Sequence, residues 1–127
     1  LKSEDQRDIA RTYGIEADDF QMYLPILANY RNLCAHEDIL FENKTQKAID
    51  DTIYHKILDI PKQDGEYIYG KHDLFALVII LKQLLREEDF ILLINELSYE
   101  LDILDGKIEA KYLIDYQFFS FQVHLFQ

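Results

Sequence analysis

The chain has 127 residues, is 49% apolar and carries 9 Tyr and 8 Phe, enough to fill one core, so residues 1–127 read as a single domain. Its net charge of −11 excludes RNA binding through a generally basic surface. A lone cysteine excludes an internal disulfide, and the longest apolar run, Leu74 to Leu81, is too short to cross a bilayer.

No charged-then-apolar signal segment opens the chain, so the expected location is the cytoplasm, with no membrane partner. The chain also begins without methionine, which reads as a fragment lacking an N-terminal segment.

Taken in order, the pattern is almost entirely helical. Ser3-x-x-Gln6 is a capping-box pattern for a helix from about Glu4 to Tyr13, with Gly14 as its stop. A second helix runs from Asp18 or Asp19 to about His36. Leu24, Leu27, Arg31 and Cys34 follow helical spacing, and Pro25 predicts a kink or a break at Leu24. Glu37 to Lys47 is polar and aperiodic, a loop. Ala48 to Leu58 predicts a short helix, with Ile49, Ile53 and Ile57 recurring every four residues and Pro61 beyond it.

Gln63-Asp64-Gly65 is a turn signal for a small hairpin near 63–69. Asp73 should cap a strongly apolar helix to about Leu85, the centre of the core. Glu88 to about Leu104 predicts a further helix with an apolar stripe of Ile91, Ile94, Leu97, Leu101 and Leu104, ended by Asp105-Gly106. The tail, 107–127, departs from this plan. Phe119, Phe121, Val123 and Leu125 alternate strictly, which favours a strand, and the tail is open between packing on the helices, forming a dimer seam and being an altered C-terminus.

The residues best suited to chemistry are Arg31-Asn32-Leu33-Cys34-Ala35-His36. An arginine binds phosphate bidentately and offsets charge in a transition state, and a histidine titrating near neutrality moves a proton. At about 100° per helical residue, Asn32 and His36 share a face, with Arg31 one step to the side. These are the parts of a metal-free ribonuclease. Spacing alone favours a plainer reading, in which Arg31 pairs with an acid, Asn32 caps a turn and His36 ends a helix. Lys44 and Lys47 are the nearest further cations, and Cys34 reads as a buried thiol.

Tyr30-Arg31-Asn32-Leu33-Cys34-Ala35-His36, followed by Leu40-Phe41, resembles the central signature of the Abi (abortive-infection) family of phage-defence proteins, within the HEPN superfamily. The resemblance extends upstream through Leu1-Lys2-Ser3 and Tyr13-Gly14-Ile15, and downstream through Gly70-Lys71-His72-Asp73-Leu74-Phe75-Ala76-Leu77 into Leu84-Leu85, covering roughly positions 1 to 97. It implies a mainly all-α, HEPN-like helical bundle. It also implies a metal-independent endoribonuclease giving 2′,3′-cyclic phosphate ends, with Arg31, Asn32 and His36 catalytic and no cofactor. RNA would be held by Arg31, Lys44 and Lys47. The implied partners are a second copy, pairing through the signature helix, and an antitoxin. Glu37-Asp38 departs from the basic or amide residues of many relatives and would repel phosphate.

Other chemistry has little support in the sequence. His55 and His72 lack metal-ligand spacing and read as surface or packing residues, although His55 would serve as a second proton carrier if it lay beside the signature; His124 takes no role. There is no Walker loop, dinucleotide fingerprint or serine-hydrolase elbow. A non-catalytic HEPN-like module for dimerisation or for binding RNA or an antitoxin is the alternative.

Overall fold

The first helix, α1 (Ser3–Thr12), begins with Glu4 and Asp5 at the positive end of its dipole and carries Arg11 in its last turn. Gly14, at φ +70°, ends it: its N–H donates to the Arg11 carbonyl at 3.1 Å and that of Ile15 to the Ala10 carbonyl at 3.0 Å. This paired closure needs a left-handed residue after the last turn. The computed structural model describes residues 3–12, 14–35 and 44–126, with side chains left out at Ser3, Gln6, Phe20 and 31–35. The side chains of the expected Ser3-x-x-Gln6 capping box thus lie outside the described residues.

α2 (Ala17–Ala35) runs through Pro25, so of the expected kink or break at Leu24 the break does not occur. An interior proline costs a helix about 3 kcal/mol, whereas each large side chain buried recovers about 1.5–3 kcal/mol. Tyr23, Ile26 and Tyr30, all at most 3% exposed, bury one face of α2 across the proline and outweigh that cost.

The predicted helix over 48–58 contracts to α3 (Ile53–Ile57). The chain before it is irregular and lies beside residues 71–72: Thr45 N–H donates to the His72 carbonyl at 2.7 Å and Ile49 N–H to the Lys71 carbonyl at 2.8 Å. The Ile49-Ile53-Ile57 stripe is accordingly split. Ile49 is 1% exposed, while Ile53 and Ile57 are 66% and 69% exposed.

The hairpin pairs β1 (Lys62–Gln63) antiparallel with β2 (Glu66–Tyr67), Lys62 opposite Tyr67 and Gln63 opposite Glu66. Asp64 at φ +53° and Gly65 at φ +81° supply the two positive-φ residues that a tight hairpin turn requires.

α4 (Leu74–Leu84) is the central helix, as its apolar run predicts. Asp73 caps it, and Leu74, Phe75, Ala76, Val78, Ile79 and Ile80 are buried. α2 lies antiparallel to it: the Tyr23 hydroxyl donates to Gln83 Oε1 at 3.0 Å near the end of α4, and Tyr30 lies within electrostatic reach of Asp73 at its start. α5 (Glu87–Leu104) packs through Phe90, Ile94, Ser98 and Leu101. The predicted stripe is therefore rotated, with Ile91 51% and Leu104 36% exposed. Gly106, at φ +79°, follows its end.

After a short 3-10 turn at Ala110–Tyr112 the tail forms a helix, α6 (Leu113–Leu125), not the favoured strand. Burial falls on Tyr116, Phe119, Gln122 and Val123, a helical repeat. The alternating set divides instead of sharing a face: Phe119 and Val123 are buried, Phe121 and Leu125 exposed. A lone strand there would leave its backbone groups unpaired, whereas a helix satisfies them internally. Among the described residues no helix is long and apolar enough to cross a membrane.

Candidate functional site

The last turn of α2 carries the signature. Arg31 and Asn32 are helical in backbone, their side chains are outside the described residues, and His36 lies outside them altogether, as do Glu37 and Asp38. The surroundings of that turn are described. Tyr30, one residue before it, is 1% exposed, and its hydroxyl is held well above the usual tyrosine range, first by burial and then by the Asp73 carboxylate. The helix end is thus anchored beside the start of α4.

Asp73 organises that start. Its carboxylate accepts from Ala76 N–H at 3.0 Å, capping α4, and from Gly70 N–H at 3.0 Å, closing the preceding loop. The Gly70 carbonyl in turn contacts His55 Nε2 at 2.7 Å. His55 Nδ1 lies 2.9 Å from Thr52 N, and because an amide nitrogen only donates, Nδ1 accepts and Nε2 carries the proton given to Gly70. Thr52 caps α3, completing a capping box with His55 in the place usually taken by Glu or Gln.

His55 is fully buried, and burial, the largest influence, lowers its pKa and keeps it neutral. The Gly70 carbonyl bond opposes this without reversing it. This histidine is a strut in the core, which agrees with the packing role read from the sequence and leaves it unsuited to be a second proton carrier. Gly70 is required against it: at φ +80°, an added Cβ would meet His55 Nε2 at 3.1 Å and Ile79 Cδ1 at 3.2 Å. The sequence signal for this node was Thr52-x-x-His55, a capping box in unfamiliar form.

The candidate RNA-binding lysines line two different clefts. Lys44 lines a small cleft with Tyr69, Asp73, Asp115 and Phe118, on the side where α2 ends. Lys47 lines a broader one with Asp18, Met22 and Pro25, on the first half of α2. The Lys44 cleft holds two carboxylates against one cation, a poor anion site by charge. Lys71 is engaged elsewhere, 2.6 Å from Asp51, and this contact holds the Asp51 carboxyl below the usual range. His72 is half-buried, and His124 Nδ1 donates to the Ser120 carbonyl at 2.6 Å, with Nε2 3.3 Å from Asp102. Among the described residues no group of His, Cys, Asp and Glu is arranged to hold a metal ion.

No family model matches the chain, and neither does any curated protein or solved structure.

Proposed function

We propose that the chain is an Abi-type HEPN protein of phage defence, acting as a metal-independent endoribonuclease. The observation that carries this reading is the placement of Arg31-Asn32 in the last turn of a long helix anchored through Tyr23, Ile26 and Tyr30, in a mainly helical fold. In this reading Arg31 grips the scissile phosphate and Asn32 orients it or His36. His36 removes the proton of the ribose 2′-hydroxyl, whose oxygen attacks phosphorus. The bond to the 5′-oxygen breaks, and a protonated histidine supplies that oxygen's proton, leaving a 2′,3′-cyclic phosphate and a 5′-hydroxyl. A second copy, meeting the first through the signature helix in the cytoplasm, would provide the acid while the first provides the base, with Lys47 steering RNA toward the pair.

The test is cleavage of RNA in EDTA with analysis of the ends. His36→Ala should abolish cleavage with the fold retained, and Arg31→Ala should weaken both turnover and phosphate binding. Activity should fall on both sides of neutral pH, since one histidine must be neutral and one charged. Metal-dependent cleavage, or full activity in His36→Ala, refutes the mechanism.

A second reading, a non-catalytic HEPN-like module for dimerisation or for binding RNA or an antitoxin, is favoured by charge. The net charge is −11, and Lys44 shares its cleft with Asp73 and Asp115. A folded protein that associates but cuts no RNA selects it.

A further inference from the structure

α6 leaves a line of apolar side chains uncovered. Ile114, Phe121 and Leu125 are 73%, 59% and 45% exposed, and half-buried Phe118 lies between them, stacked on Tyr69 with ring centres 3.4 Å apart. From Ile114 the steps are four, three and four residues, the alternation of a coiled-coil seam. That spacing reads the same from either end. Laid antiparallel about a two-fold axis between Phe119 and Ser120, Ile114 of one copy meets Leu125 of the other, and Phe118 meets Phe121. Every position of the stripe then has an apolar counterpart, the self-complementarity that a two-fold contact requires.

Charge selects the same face. Two copies each carrying −11 repel, so they approach most easily where acids are absent. α5 also exposes apolar side chains, Leu92 at 64% and Tyr99 at 66%, but it carries six acids from Glu87 to Asp102 and no Lys or Arg. α6 carries one acid, Asp115, in its first turn.

We propose that α6 is a self-association seam, pairing antiparallel with α6 of a second copy through Ile114, Phe118, Phe121 and Leu125. The stripe is about 16 Å long at 1.5 Å per residue. It falls short of the roughly 800 Å² per partner of a standard interface, so the association is weak and depends on concentration.

Sedimentation equilibrium of the whole chain, from micromolar to near-millimolar concentration, tests the seam. With rising concentration the weight-average mass of the wild type should climb toward twice that of Phe121→Glu, with Leu92→Glu on α5 following the wild type. Pairing through the signature helix would give the Phe121→Glu variant a dimer and carry the wild type further, since each such dimer presents two α6 seams, so the wild type stays the heavier, and RNA cleavage plays no part in the readout. Both substituted positions are exposed, and circular dichroism checks that each variant is folded. Ile114→Glu, at the more exposed position, gives the same readout if Phe121→Glu fails to fold. Equal masses for wild type and the α6 variants, or dissociation by Leu92→Glu as complete as by Phe121→Glu, overturn the proposal.

Discussion

Replacing His55 with alanine should be among the most damaging single changes to this fold. The side chain is fully buried, and its ring bridges Thr52 N–H at 2.9 Å and the Gly70 carbonyl at 2.7 Å. Truncation leaves the half-buried Thr52 donor unpaired at about 1 kcal/mol and the buried Gly70 acceptor at about 1–3 kcal/mol, and opens a cavity costing about 1 kcal/mol more. The expected loss is about 3–5 kcal/mol against a total stability of about 5–15 kcal/mol, or roughly 10–20 °C in Tm. Urea unfolding and thermal circular dichroism measure it. A loss below about 1 kcal/mol would refute the strut.

The same residue gives a pH dependence of defined sign. Its folded pKa lies below the ordinary 6.5, so between these values the unfolded chain binds a proton that the folded chain resists. The stability contributed by neutral His55 is complete above the ordinary value and is lost as pH falls below it toward the depressed one. His55→Gln keeps an acceptor for Thr52 N–H but cannot titrate, so its stability should fall less steeply as pH drops below about 6.5. An unchanged slope would show that another group is responsible.

Gly70→Ala should cost about 2 kcal/mol or more in urea unfolding, because its φ of +80° strains any side chain and the added Cβ meets His55 and Ile79. Asp73→Ala should cost about 1–2 kcal/mol, since one carboxylate caps α4 and closes the Gly70 loop; Asp73→Asn, which also caps, should recover most of it. Phe119→Ala should destabilise by about 3–5 kcal/mol, whereas Phe121→Ala should cost under about 1 kcal/mol at low protein concentration, a contrast that a strand with both residues on one face would not produce.

What the sequence determined by itself was local: where helices stop, where one begins and where the chain reverses. Gly14 and Gly106 end helices because they adopt positive φ, Asp73 caps because its side chain reaches back to a backbone N–H, and Asp64-Gly65 turns because both residues tolerate the left-handed region. Such choices depend on a few neighbouring atoms. The dense apolar run of α4 was equally legible as core. For the candidate site, the sequence showed Arg31 and Asn32 at the end of a helix, and whether they converge with His36 lies outside the described residues.

Tertiary structure decided whatever depended on a distant partner. α2 continues through Pro25 because burial of Tyr23, Ile26 and Tyr30 outweighs a local cost. Residues 48–52 stay out of the helix because Ile49 N–H finds the Lys71 carbonyl, and the tail is a helix because Tyr116, Phe119 and Val123 find the core from one side. His55 shows the limit most clearly. Its capping role was written within three residues of Thr52, but its ring is held from the other side by the Gly70 carbonyl, fifteen positions away, and its neutrality came from burial that no local pattern contains.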